Sequence, residues 1–188
     1  MNTQSKVLVL GAGVSGSDVV LSLVELGHEV FVYDDNISKK DDLPEALKSL
    51  DITLIPTIND ILVTQYKYVV KSPGIKPDND AVKLLIQANY NIISDLEIGY
   101  IFRNTDNLIA ITGTNGKTST TTLVNSVLNE CGLNSSAVGN IGIGVVNKIT
   151  HASPDDVLVI EASSFQLDNI DTFKPRISVI TNITSDHL

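Results

Sequence analysis

The sequence is poor in cysteine, in cationic side chains and in long apolar runs, and each shortage removes a class of protein. A single cysteine, Cys131, rules out a disulfide framework and a cysteine-based metal site. Near the end of a predicted helix and just before Gly132, it reads as a buried small hydrophobe rather than a reactive thiol. Thirteen lysines and arginines stand against 22 aspartates and glutamates, a net charge of −9. Nucleic acid demands a basic face, and no basic stripe with interleaved aromatics occurs, so nucleic acid is excluded as a partner. The acidity itself reads as plain solubility. No apolar run approaches the roughly 18 residues needed to cross a bilayer. The short run at residues 7–10 ends at once in glycine and lacks the longer core and cleavage site of a signal peptide. A reduced, cytoplasmic protein without a membrane partner is expected.

What is present is a β–α rhythm. Apolar runs at residues 7–10, 30–33, 68–70 and 91–93 read as strands, with helical patterns at 15–26, 43–50 and 79–88 between them. Val/Ile/Leu-rich strands separated by helices indicate a parallel sheet covered on both faces. A mostly helical stretch, 94–104, reads as the connection to a second unit. The rhythm restarts with a strand at 108–112, a helix at 117–130, and strands at 135–138, 157–160 and 177–181. The expected organisation is α/β: a Rossmann-like unit over 1–93, a connecting segment over 94–106, and the front part of a P-loop unit over 107–188. Three or four strands make a thin sheet for this class. The abrupt finish after a strand therefore predicts the front portion of a longer protein, unless a swapped or dimeric arrangement completes the sheet.

Four motifs carry chemistry. Gly11-Ala12-Gly13-Val14-Ser15-Gly16 is a G-x-G-x-x-G turn between strand and helix. Its glycines allow a tight turn and close backbone approach, and the helix start offers free N–H groups to an anion. Asp34, at the end of the next strand, stands where a dinucleotide-binding fold holds a ribose hydroxyl. Taken alone this turn reads as an NAD site, and the same turn also serves nucleotide sugars. The second motif, Gly113-Thr114-Asn115-Gly116-Lys117-Thr118, followed by Ser119, is a shortened phosphate loop, since Ile111 stands where the generic loop has glycine. Its backbone N–H groups cradle phosphate, Lys117 neutralises charge, and the Thr118 hydroxyl suits Mg²⁺.

Glu161 ends an apolar strand, where a carboxylate beside a phosphate loop holds Mg²⁺ directly or through water. Asn182-Ile183-Thr184-Ser185-Asp186-His187 follows another strand, and its Asp and His can share a metal ion or position a carboxylate. His28 and His151 fall in predicted turns and read as surface residues. All four motifs, and Ser72-Pro73-Gly74 with them, lie at carboxyl ends of predicted parallel strands, the edge where open α/β sheets bind ligands. Together they describe a cleft between two units.

These residues resemble the Mur ligases of peptidoglycan synthesis, in particular the D-glutamate-adding branch. The Gly113–Thr118 loop is a variant shared with folylpolyglutamate synthetases. The discriminating marks are Gly139-Asn140-Ile141-Gly142, Ser163-Ser164-Phe165-Gln166-Leu167 and the terminal Asn182…Asp186-His187. The resemblance replaces NAD by a nucleotide sugar. It implies that Val14, Ser15, Asp34, Ser72 and Gly74 contact the uridine diphosphate, and that Asn140 and His187 meet the sugar or its alanyl arm. It implies that Gly113, Thr114, Asn115, Gly116, Lys117, Thr118 and Ser119 hold ATP, with Thr118, Glu161 and His187 around Mg²⁺. The catalytic groups implied are Lys117, Glu161 and His187. The substrates implied are UDP-N-acetylmuramoyl-L-alanine, ATP and D-glutamate, joined through an acyl phosphate by an enzyme expected to be monomeric at full length. Asp35 and Asn36 depart from the small polar and basic residues that the family often shows there, so a basic contact on the uracil side is missing. The family's carbamylated lysine and its C-terminal domain fall beyond Leu188, which predicts a 188-residue chain inactive on its own. A non-catalytic UDP-sugar-binding module and an NAD-dependent oxidoreductase are the alternative readings.

Overall fold

The computed structural model describes residues 4–139 and 144–184. It contains two all-parallel sheets. In chain order the elements of the first are β1 (Lys6–Leu10), α1 (Val14–Glu25), β2 (Glu29–Tyr33), α2 (Glu45–Lys48), β3 (Ile52–Leu54), β4 (Tyr68–Lys71), α3 (Asp80–Gln87) and β5 (Ile92–Ser94). Then α4 (Asp95–Ile101) leads to β6 (Leu108–Thr112), α5 (Lys117–Glu130), β7 (Ser135–Gly139), α6 (Val145–His151), β8 (Val157–Glu161), α7 (Ser164–Leu167) and β9 (Ile177–Ile180).

Strand order explains where sites form. The first sheet runs β3-β2-β1-β4-β5 and the second β7-β8-β6-β9. After β3 the chain crosses back to the other side of β1, and after β8 it crosses to the other side of β6. The carboxyl ends of β1 and β6 are therefore the switch points, where diverging connections open a crevice. The two glycine-rich turns follow those two strands.

Sequence chemistry sets the elements. β1 and β2 are apolar on nearly every residue because both faces are covered, with Val7, Leu8 and Val9 fully buried. Asn79 caps α3 by accepting from the N–H groups of Ala81 and Val82, and Ser94 caps α4 by accepting from Glu97 N–H. Ser163 and Gln166 close a reciprocal capping box on α7.

The connecting stretch is helical, as the sequence indicates, and it is buried. Leu96 and Ile98 of α4 are fully enclosed, and Asp95 and Glu97 are almost so. A continuous apolar cluster joins Val7, Val9, Val19 and Val20 to Leu96, Ile98, Val145, Val146, Ile149, Leu158 and Ile160. A layer made of α1, α4 and α6 thus packs between the sheets. Each such aliphatic side chain contributes roughly 1.5–3 kcal/mol on burial.

Two local expectations are overturned, and a third holds for exposure but not for local structure. His28 is buried, with Nδ1 accepting from Ser5 N–H and its ring 4.5 Å from that of Phe102. The Gly27 turn folds the chain straight back into β2, which carries His28 inward. Cys131 is exposed, because α5 turns mostly polar residues outward and buries only Thr121. His151 is exposed but ends α6 rather than lying in a turn, and pairs with Glu25 at 3.3 Å. No helix among the described residues is long and apolar enough to cross a membrane.

Candidate functional site

The first glycine-rich turn is shaped by backbone contacts. Gly11 has φ +88°, and its N–H donates to Tyr33 O. A Cβ at Gly16 would overlap the Gly11 carbonyl, so only glycine lets α1 start this close to β1. Gly13 precedes α1 without a side-chain cap, no acid sits in the first turn, and Val14 is 89% exposed. The unsatisfied N–H groups at that helix start face open space, as an anion site requires. Asp34 supports the turn: its carboxylate accepts from Ala12 N–H at 2.9 Å and Asn36 N–H at 2.9 Å. Ser72 Oγ donates to Gly11 O at 3.4 Å.

Two cavities flank this turn. The first, about 350 Å³, opens at the carboxyl ends of β1, β2 and β4 and is lined by Tyr33, Asp34, Asp35, Gly74, Lys76 and Asn79 among others. Asp35 accepts from the Tyr33 hydroxyl at 2.8 Å and from Asn79 Nδ2 at 2.7 Å. Burial, then Asp35, push the Tyr33 phenol up to about 12. Lys76 supplies a cation here, two residues after the Ser72-Pro73-Gly74 motif, so this pocket is not without a basic group. Its position outside the Asp34–Asn36 segment is why the sequence pattern hid it.

The second cavity, about 250 Å³, lies between the two units. Val14, Ser15, Asp18, Pro73 and Asp95 line one side, and Gly139, Gly144, Val145, Ser163 and Gln166 complete it. Gln166 Nε2 donates to both oxygens of Asp95 at 3.1 Å. Burial raises the Asp95 carboxyl to about 6, although Gln166 and Leu96 N–H pull the other way. Asp18 is also raised, by burial first, against the N–H groups of Val146 and Asn147. Lys71, buried at the end of β4, donates to Ile75 O at 2.9 Å and so braces the loop after it. Burial lowers its pKa against the attraction of Asp168 and Asp95.

The second glycine-rich turn is held by side chains. Gly113 has φ +136° and Gly116 φ +81°, both left-handed values that disfavour other residues. Lys117 Nζ folds back onto Gly113 O at 2.7 Å and Thr114 O at 2.9 Å. Asn182, just past β9, accepts from Asn115 N–H and donates to Asn115 O, while its own carbonyl accepts from Thr114 N–H. Thr181 Oγ also donates to Asn115 O. Thr118 and Ser119 are exposed at the start of α5. Glu161 ends β8 beside β6, in register with Ile111, and is 2% exposed with Oε2 lacking a partner. A buried, unpartnered carboxylate oxygen beside a phosphate loop fits a hard divalent cation. No cluster of three or more His, Cys, Asp or Glu occurs among the described residues.

The structure therefore brings Asp34 and Gly74 to one cavity, Val14 and Ser15 to another, and the 113–119 loop with Glu161 to the second switch point. Asn140 and His187, with Asp186, lie outside the described residues. Asp18, Asp95 and Lys76 were not foreseen; the first two sit on helices, where acids ordinarily read as surface.

Two family models account for most of the chain. Residues 5–94 match the Mur ligase MurD-like N-terminal domain, and residues 111–188 match the Mur ligase middle domain. The chain belongs to the Mur ligase family. It is 43% identical over 190 residues to the UDP-N-acetylmuramoylalanine–D-glutamate ligase of Lachnoclostridium phytofermentans, covering 97% of this chain and 41% of that protein. The ligase of the same name from Lactococcus lactis subsp. lactis is 40% identical over 185 residues, again covering 97% of this chain and 41% of the relative. This Mur-family chain thus spans about two fifths of the length of the curated relatives it matches.

Among solved structures, the UDP-N-acetylmuramate:L-alanyl-gamma-D-glutamyl-meso-diaminopimelate ligase of Neisseria meningitides superposes with a TM-score of 0.61. It is 19% identical, over 98% of this chain and 62% of that one. The UDP-N-acetylmuramate-alanine ligase of Thermotoga maritima gives a TM-score of 0.55 at 21% identity, over 98% of this chain and 43% of that one. At these identities the likeness establishes the shared parallel-sheet fold.

Proposed function

We infer that this chain carries the UDP-sugar-binding and ATP-binding portions of a ligase that adds D-glutamate to UDP-N-acetylmuramoyl-L-alanine. The observation that carries the reading is the pairing of two phosphate-type turns at two switch points, with the inter-unit cavity on the α1 side and the buried Glu161 beside the second turn. The units divide near residues 93 and 107 in this reading. The name shared by the 37–43% identical relatives supports it.

In the reaction so proposed, the alanyl carboxylate attacks the γ-phosphorus of ATP, the bond to the β-phosphate oxygen breaks, and ADP leaves. The D-glutamate amine then attacks the acyl carbon, its nitrogen gives up a proton to solvent, phosphate departs with the electrons of the C–O bond, and an amide remains. Both steps bring negative groups together. Lys117 leaves its loop carbonyls to meet the phosphates, where its charge offsets that repulsion. The N–H groups at the start of α5 hold the phosphate oxygens in place. Glu161 and Thr118 are the donors in the described residues that would hold Mg²⁺, with His187 as a further proposed ligand. The ion would supply Lewis-acid stabilisation of the phosphoryl oxygens. Across the cavity, the helix start at Val14 and Ser15 takes the diphosphate, Ser72 and Gly74 border it, and the Asp34 pocket takes the nucleoside. An ATP- and UDP-dependent reaction of this kind belongs in the cytoplasm.

Calorimetric titration of the chain with UDP-N-acetylmuramoyl-L-alanine, with NADH in a parallel cell, tests the reading. The UDP compound is expected to bind and NADH to give no heat. Tight NADH binding with no response to the UDP compound overturns it in favour of an oxidoreductase-type turn.

A further inference from the structure

Asp18 occupies an unusual place. It lies in the second turn of α1, the helix whose start faces the inter-unit cavity, yet its carboxylate points across to the other unit. Oδ2 accepts from Val146 N–H at 2.9 Å, in the first turn of α6. Asn147 N–H also bonds to this carboxylate. The carboxylate fills the space where Gly144 would carry a side chain: a Cβ built there would overlap Cγ and both oxygens of Asp18. Gly144 has φ −56° and ψ 131°, a conformation open to any residue. Its lack of a side chain therefore serves Asp18 and not a backbone turn.

The other groups facing this contact are few. Glu25 lies on the same helix and raises the Asp18 pKa, and Asp95 of α4 lines the same cavity. Asn147 Nδ2 donates to Glu25 at 3.4 Å, a second link between α1 and α6. Asp18, Gly144 and Val145 all line the 250 Å³ cavity, so the contact joins its two walls.

We propose that Asp18 is a positioning residue: seated in the Gly144 gap, it locks the start of α6 against α1 and so sets the inter-unit cavity for a ligand that touches both units. This rests on the nucleotide-sugar reading above. It adds that affinity for the sugar-bearing part depends on a contact made by neither turn's phosphate-binding atoms.

The test is a double-mutant cycle read with two ligands. Asp18→Ala is expected to weaken UDP-N-acetylmuramoyl-L-alanine about tenfold, the scale of losing charge-assisted hydrogen bonds. UDP alone, which engages only the first unit, is expected to bind within about twofold of wild type. Gly144→Ala, which pushes a methyl into the carboxylate, is expected to give the same split. Gly144→Ala in the Asp18→Ala background is expected to add nothing further, since the methyl then enters vacated space. Asp18→Asn keeps one acceptor and is expected to fall between. Equal loss of both ligands, or additive losses in the double variant, would overturn the proposal. Hydrogen exchange decides the contact without any ligand. The Val146 and Asn147 amides are expected to lose protection in Asp18→Ala while the amides of β1 keep theirs. Unchanged protection there also sinks the lock, whereas a wild type that binds no UDP-sugar but shows this exchange pattern overturns the functional reading alone.

Discussion

The two glycine-rich turns look alike in sequence and draw on main chain and side chains in different proportions. In the first, the turn is packed main chain on main chain, Gly16 against the Gly11 carbonyl and Gly11 N–H on Tyr33 O, with the Asp34 carboxylate bracing Ala12 N–H. In the second, the turn rests largely on side chains: Lys117 on two loop carbonyls, Asn182 and Thr181 on Asn115. Main-chain packing has no alternative arrangement close in energy, whereas side-chain hydrogen bonds can be traded for equal bonds to a ligand. The first turn is a fixed seat. The second is a clasp whose lysine closes on its own loop.

The largest effect expected from this contrast is Gly16→Ala. The added methyl meets a carbonyl that cannot move without shifting β1, so a loss of roughly 3 kcal/mol or more is expected in urea or thermal melts. A variant that melts like wild type would remove the rigid half of the comparison. Lys117→Ala comes next. Removing the charge is expected to lower ATP affinity by about tenfold to a hundredfold while UDP-sugar affinity stays unchanged, because the clasp belongs to one turn only. Titration with each nucleotide checks both halves.

The face between the units sharpens the comparison through two acids on α4 that respond to pH in opposite senses. The Asp95 carboxyl, raised from 3.8 to about 6 by burial, binds a proton in the fold before it does in the unfolded chain. Its contribution therefore declines as pH rises from about 4 to 6, by roughly 1–3 kcal/mol. Burial pushes Glu97 upward too, but the Thr172 hydroxyl and the N–H groups of Asp171, Thr172 and Phe173 together hold it below 4.5. Its contribution is present above that value and fades as pH falls through the folded pKa. Melts of Asp95→Asn should lose the first slope and those of Glu97→Gln the second; one shared slope in both would contradict the assignment. The smallest effect is Asn182→Ala, expected to cost about 1 kcal/mol in ATP binding by loosening the 114–115 backbone. An effect as large as that of Lys117→Ala would mean the clasp's frame matters as much as its charge.

Much of this was legible from residue order, for physical reasons that differ by element. The strand at residues 108–112 and the helix at 117–130 match β6 and α5 to the residue, because glycine marks both junctions. β3 was missed since three residues, only moderately buried, leave too short a pattern to read. α6 was missed because its Val, Ile and Thr are poor helix formers, and tertiary packing on α1 and α4 overrides that preference. The phosphate turns and Glu161 announced themselves through spacing from strands. Asp18 did not, since its role depends on a gap at Gly144, 126 positions away, that no local pattern encodes.

The shared layer of α1, α4 and α6 also decides how this part of the molecule can move. A hinge needs a seam of weak, wet contacts. Here swinging one sheet away from the other would bare Leu96, Ile98, Val145, Val146 and Ile149, each at most 3% exposed. At the usual cost per buried aliphatic side chain that is on the order of 10 kcal/mol, as much as holds a typical domain folded. The two sheets therefore travel as one block, and opening them amounts to unfolding them. Whatever enters the cavity therefore meets walls carried by this apolar layer.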